Sequence, residues 1–196
     1  MELDRRDNIS RILNDKEYKL GIEVGTFVGE FSKTILSTWN GILYCLDVWR
    51  GMDDYKDSSN ISDPIKTISL VLDNVKGYED RCVLIRTTSK YGSTMFPDEY
   101  FDFIYIDANH KYKYVKEDIS CWYPKIKKGG MMSGHDYIRD YNSDRSINGL
   151  DTNVWLSTGE YCGVFGVNPV VDEFCKDLNK MPYITNEYFG TWYIFK

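Results

Sequence analysis

The chain has little of several things. Its 196 residues include two histidines and five prolines. No apolar run reaches the roughly 18 residues that a membrane-spanning helix needs. Cys45, Cys82, Cys121, Cys162 and Cys175 are widely spaced, odd in number and form no CxxC pair, which argues against structural zinc. Cys45 and Cys82 stand in apolar runs, where a thiol acts as a small core residue, and reduced thiols fit a cytoplasmic setting. Basic excess is missing too. The chain has 24 Lys and Arg against 30 Asp and Glu, a net charge of -6, so nucleic acid is not an expected partner. The first residues, MELDRRDNIS, are charged with no apolar segment behind them, so neither export nor a membrane anchor is expected. No repeat or low-complexity linker breaks the chain, and one domain over residues 1–196 is expected. What is present is 42% hydrophobic and 15% aromatic residues, the composition of a chain with a packed core.

The apolar pattern alternates between strand-like and helix-like runs. Residues 1–18 read as an N-terminal helix packed by Leu3, Ile9, Ile12, Leu13 and Tyr18. Strands are expected at 20–24, 41–47, 82–86, 102–106 and 131–136. Helices are expected at 29–39, 65–78, 112–127 and 167–179, the third of them stopped by Gly129-Gly130. Within 65–78, Ile65, Ile68, Val71, Leu72 and Val75 are spaced for one face. Residues 50–64 read as a polar loop. Residues 138–163 read as an irregular insertion at the rim, too long for a plain connection. The segments 183–188 and 190–196 read as a closing hairpin. The expected fold is therefore α/β: a Rossmann-like, doubly wound, mostly parallel seven-stranded sheet with an antiparallel C-terminal hairpin strand.

Two corners carry candidate chemistry. In LGIEVGTFVGEFSKTIL, residues 20–36, a strand ends at Glu23-Val24, turns through Gly25-Thr26-Phe27-Val28-Gly29 and enters a helix. Glycines let the backbone approach a ligand, and helix N–H groups favour a carboxylate there. Asp47 ends the next strand and can accept two ribose hydroxyls. Val48 and Trp49 beside it could cover an adenine. An acid before two glycines, without G-x-G-x-x-G, points to S-adenosylmethionine rather than a dinucleotide. At the other corner, IDANH (106–110) and GHDY (134–137) end adjacent strands, and ligands in such sheets sit beyond C-terminal strand ends. Asp107, His110, His135 and Asp136 are thereby expected to converge. Asp107 and Asp136, with His135 as a third ligand, could hold Mg²⁺ or a similar cation, while His110 or His135 could act as general base. A role for Asp107 in cofactor contact without metal stays open.

These motifs resemble the class I S-adenosylmethionine-dependent methyltransferases. EVGTFVGEFS (23–32), LDVWRG (46–51), VLIRTTS (83–89), residues 101–130, GHDY (134–137), GVNPVVDEF (166–174) and TWYIFK (191–196) carry the similarity from Leu20 to Lys196. The nearest branch is related to macrocin-type sugar O-methyltransferases. The resemblance implies O-methylation of a small hydroxyl acceptor, sugar or phenol-like. It places Glu23, Gly25, Thr26, Phe27, Gly29 and Ser32 in the cofactor loop and Asp47 at the ribose. It puts Thr88 and Ser89 at the adenine. Asp107, Asp136 and His110 take the metal and base positions. Tyr137 stands where catechol-type relatives carry a further Asn ligand, and Thr87-Thr88-Ser89 replaces a Gly-Asp-Ser, so a hydroxyl is left to meet the adenine. Residues 50–64 or 138–163 are expected to cover the acceptor, with Trp49, Tyr137, Tyr141, Trp155 and Tyr161 as stacking candidates. Two alternatives remain: a non-catalytic S-adenosylmethionine-binding module and a nicotinamide-dependent oxidoreductase. Oligomeric state is left open, a dimer included.

Overall fold

The computed structural model describes residues 3–51, 63–138, 153–155, 161–164 and 166–196. Seven strands form one sheet. In chain order they begin with β1 (Leu20–Val24), β2 (Ile42–Asp47), β3 (Cys82–Arg86), β4 (Phe101–Ile106) and β5 (Ile126–Ile138). A two-stranded ribbon, β6 (Asn153–Trp155) with β7 (Tyr161–Val164), stands apart from the sheet, which is completed by β8 (Tyr183–Ile184) and β9 (Phe189–Phe195). The order is β3-β2-β1-β4-β5-β9-β8, with β1 to β5 parallel and β9 antiparallel to both its neighbours. The order reverses beside β1, which places a crevice beyond the C-terminal ends of β1, β2 and β4.

Side-chain alternation divides the core between the two faces. On β4, Ile104 and Ile106 pack into one cluster, and Phe103 and Tyr105 into the other. α1 (Ile9–Asp15) and α2 (Glu30–Thr38) cover the Tyr105 face, while α5 (Tyr112–Trp122) and α6 (Val167–Asp177) cover the opposite one. α2 buries Phe31, Ile35 and Leu36 and carries Glu30 in its first turn, where an acid suits the helix dipole. Two further connections complete the helices: α3 (Pro64–Asn74) and the short α4 (Ser89–Ser93).

Four expectations need correction. The N-terminal segment is not one helix. Residues 6–8 form a 3-10 turn, and α1 begins only at Ile9. The backbone ahead of it is tied elsewhere, with Leu3 N–H donating to Tyr193 Oη at 3.1 Å and Arg6 N–H to Glu187 Oε2 at 2.6 Å. α3 starts at Pro64, capped by Asp63, which accepts from Ile65 N–H at 2.9 Å. Its buried edge is Thr67, Val71 and Val75, while Ile65 and Leu72 are exposed. α5 ends at Trp122 because Pro124 has no N–H to continue the ladder. Gly129-Gly130 therefore stops no helix. The pair lies within a 13-residue β5, at an irregularity where Gly129 takes φ +76°. Residues 52–62 of the expected polar loop lie outside the described residues, as does most of the 138–163 insertion, in which the β6–β7 ribbon is found. No helix among the described residues is long and apolar enough to cross a membrane.

Candidate active site

The site is built on Gly25. Its N–H donates to Leu46 O at 2.8 Å, its φ is +96°, and a Cβ there would fall 2.0 Å from the Asp107 carbonyl oxygen. Only glycine lets the end of β1 pass this close to the end of β4. The chain then turns through Thr26 and Phe27 to Gly29, whose left-handed φ of +77° leads into α2. Asp47 staples this turn. Its Oδ2 accepts from Phe27 N–H at 2.9 Å and its Oδ1 from Trp49 N–H at 2.8 Å, leaving a lone pair on each oxygen. Trp49 closes the loop by donating from Nε1 to Phe27 O at 2.8 Å.

A cavity of about 550 Å³ opens above these strand ends, within the range of small-molecule and cofactor sites. Of the expected cofactor residues, Glu23, Gly25, Thr26, Phe27, Asp47, Val48, Trp49, Thr88, Ser89 and Asp107 line it. Gly29 and Ser32 do not. Gly29 is the N-cap of α2, and Ser32 is fully buried, its hydroxyl donating to Glu23. Glu23 is 1% exposed, and burial pushes its carboxyl up to about 8 against the opposing pull of Ser32 and Arg6. At neutral pH it is mostly protonated, so its role toward a cationic ligand is weaker than the sequence suggests.

This has a measurable consequence. The folded chain holds a proton on Glu23 that the unfolded chain releases above about pH 4.5. Stability is therefore expected to fall as pH rises from about 4.5 toward 8, with a limiting slope near 1.4 kcal/mol per pH unit for one group. Urea denaturation across this range should show a flatter profile for Glu23→Gln. An unchanged slope would mean that Glu23 is ionised in the folded protein.

The second corner also assembles. His110 Nε2 lies 2.9 Å from Asp136 Oδ2 and 3.5 Å from Asp107 Oδ1. Asp107, His110 and Asp136 each bring one ligand atom within 4.8 Å of the others. His135 stands one step out: its Nδ1 is 3.2 Å from Asp136 Oδ1 and 4.0 Å from Asp107 Oδ2. His110, rather than His135, completes the potential ligand group. Neither His135 nor Asp136 lines the cavity, whereas Asp107 and His110 do. Burial alone would lower the pKa of His110, but the Asp136 and Asp107 carboxylates outweigh it and raise it well above 6.5. Burial likewise pulls Asp136 up, and the two histidines more than reverse it, so Asp136 is held ionised. Asp136 sits at φ +60°, a strained position for a non-glycine residue.

Tyr137 is turned away from this group, its hydroxyl donating to Asp172 Oδ1 at 2.8 Å. Tyr141 lies outside the described residues, as do the side chains of Trp155 and Tyr161.

Three lining residues escape the sequence reading. Asp118, on α5, accepts from the Ser89 hydroxyl, which in turn accepts from Trp122 Nε1 at 2.8 Å. Burial pushes Asp118 up to about 7. It supplies an acid on the β3 side of the cavity, where the sequence after β3 offers only hydroxyls. Its signal was present: Asp118 interrupts the apolar stripe Val115, Ile119 and Trp122. Among the described residues, Asn109 Nδ2 is buried without a partner, and so is the hydroxyl of Thr26. Arg6 reaches Asp107 across 101 positions of sequence, which no local pattern announces.

The sheet thus brings a glycine corner, the Asp47 carboxylate and the Asp107 carboxylate to one cavity beyond its strand ends. The chain belongs to a methyltransferase family: the family described as "Methyltransferase domain" matches residues 22–137. It is an S-adenosylmethionine-dependent methyltransferase, which sets aside the nicotinamide alternative. Solved structures share the fold. A protein assigned as a caffeoyl-CoA O-methyltransferase from Staphylococcus aureus is 16% identical with a TM-score of 0.65, over 97% of this chain and 82% of that one. An O-methyltransferase from Bacillus cereus, solved with S-adenosylhomocysteine, is 12% identical with a TM-score of 0.62, over 97% and 80%. An O-methyltransferase family protein from Burkholderia thailandensis is 12% identical with a TM-score of 0.66, over 96% and 57%. No curated protein matches the chain.

Proposed function

We propose that this protein methylates an oxygen of a small hydroxyl acceptor, sugar or phenol-like. The observation that carries the reading is the Asp107–His110–Asp136 group at the edge of the cavity, two carboxylates and an imidazole beside the end of β4. S-adenosylmethionine supplies an electrophilic methyl on a cationic sulfur. The chain's own residues do the rest. The Gly25–Phe27 turn and Asp47 hold the cofactor, and Asp118 with Ser89 meets the adenine. Neutral His110 accepts the hydroxyl proton as the new C–O bond forms and the C–S bond breaks, its electrons passing to sulfur. Alignment of the two reactants supplies much of the rate.

The same group suits a divalent cation. Two carboxylate oxygens and one imidazole nitrogen form a donor set better matched to Mn²⁺ or Zn²⁺ than to Mg²⁺, which prefers oxygen. A cation held by Asp107, His110 and Asp136 would occupy the imidazole lone pair, so in that case the cation, in place of His110 as base, would acidify the acceptor hydroxyl.

Calorimetric titration with S-adenosylhomocysteine, with and without Mn²⁺ or Mg²⁺, followed by an acceptor screen, tests the proposal. Micromolar binding and S-adenosylhomocysteine formation with a sugar or phenol are expected. Turnover confined to amine or carbon acceptors would overturn it.

A further inference from the structure

Arg6 belongs to the 3-10 turn ahead of α1, yet its guanidinium lies at the end of β4. Nη2 donates to Asp107 Oδ2 at 2.7 Å. The guanidinium carbon sits 3.9 Å from the centroid of Phe31, in the first turn of α2. The backbone N–H is pinned by Glu187. The side chain is thus held by the ends of β4 and α2, and its backbone by the turn between β8 and β9. Among the described residues Asp107 is its only hydrogen-bond or ion-pair partner. Nη1 remains uncommitted, and Nε is buried without a partner. Arg6 lines the cavity.

The cavity has a direction. Asp47 ends β2, and Ser89 with Asp118 flanks the end of β3. A ligand with its ribose at Asp47 and its adenine toward Ser89 extends its other end over β1 and β4. On that side the lining offers the guanidinium of Arg6 and the imidazole of His110, and His110 is enclosed by Asp107 and Asp136. Lys90 is on the far side and is ion-paired with Glu117 at 2.7 Å. Arg50 follows β2 and is exposed.

We propose that Arg6 is the receptor for the carboxylate of the cofactor's amino-acid tail, with Nη1 as donor and Asp107 steadying the guanidinium from the opposite edge. A guanidinium suits the task because its planar fork stays charged and can hold one carboxylate while binding another. The stacking on Phe31 fixes the plane in advance, which limits the entropy lost on binding. The proposal rests on S-adenosylmethionine being the ligand of this cavity.

The test compares two ligands on wild type, Arg6→Gln and Arg6→Lys by calorimetry. S-adenosylhomocysteine carries the amino-acid tail. 5′-Methylthioadenosine has the nucleoside and the thioether without it. Arg6→Gln is expected to weaken S-adenosylhomocysteine by about tenfold or more, the value of one charge-assisted hydrogen bond, and to leave 5′-methylthioadenosine unchanged. Arg6→Lys should fall between. Equal losses for both ligands would make Arg6 a prop for the whole site and overturn the assignment. So would unchanged S-adenosylhomocysteine affinity in Arg6→Gln. A wild type that binds neither ligand would instead overturn the cofactor reading, and the role of Arg6 with it.

Discussion

Gly25→Ala is expected to cost about 3 kcal/mol or more in folding stability and to abolish binding of S-adenosylhomocysteine. The new Cβ would stand 2.0 Å from the Asp107 carbonyl oxygen, 2.4 Å from its carbon and 2.7 Å from Ala108 Cα, all backbone atoms. Backbone cannot rotate aside as a side chain can. Nor can the strands separate easily. Val24 pairs with both Leu46 and Ile106, Gly25 N–H is bonded to Leu46 O, and Asp107 N–H to Val24 O at 2.8 Å. Gly29→Ala provides the control. Gly29 also has a positive φ, but its nearest neighbours to a Cβ are at 3.6 Å, so only the conformational cost of about 1 kcal/mol applies. Urea denaturation of the two variants should separate them clearly. Equal midpoints would show that the β1–β4 contact is not close-packed as described.

Much of the fold is legible in the sequence because the central strands are short apolar runs closed by an acid or a glycine. Glu23-Val24-Gly25, Asp47 and Asp107 mark the ends of β1, β2 and β4, and the structure ends those strands there or one residue before. The antiparallel hairpin at the C-terminus is legible for a different reason: no helix-length segment separates 183–188 from 190–196, so no parallel crossover can be made. The start of β5 was not legible. Gly129-Gly130 has the composition of a helix stop, and its true role depends on pairing with Lys196, which receives a hydrogen bond from Gly129 N–H at 3.1 Å and gives one to Gly130 O at 2.9 Å.

The candidate site divides in the same way. Gly25, Asp47, Asp107 and His110 announce themselves because strand ends in a wound sheet share one rim. Arg6 does not, because its position is set by Glu187 and Phe31, both distant in sequence. The inward turn of Ser32 is not legible either, because spacing alone cannot say that a polar residue on α2 meets a buried acid. Asp118 is the intermediate case. A carboxylate on an apolar helix face signals burial, but its partner Ser89 is 29 positions away, and only the packing of α4 against α5 brings them together.

His110→Asn is expected to lower the rate of methyl transfer by about 10²–10⁴, the usual contribution of a general base, with S-adenosylhomocysteine affinity nearly unchanged. The pH dependence of wild type and one variant then tests how the base is set. Asp136 and Asp107 favour the imidazolium, so wild-type turnover should rise with pH and reach half its limit well above 6.5. Asp136→Asn removes the carboxylate 2.9 Å from Nε2, which must lower the His110 pKa and move the midpoint toward acid. A divalent cation would compete with the proton for the same donors, so added Mn²⁺ should also shift the wild-type profile toward acid and lose this effect in Asp136→Asn. Rates that do not vary between about pH 6 and 9 would remove His110 from the proton transfer. In that case Asp107 and Asp136 would serve the acceptor only by position and charge, and His110 would be the cation that keeps two neighbouring carboxylates ionised together.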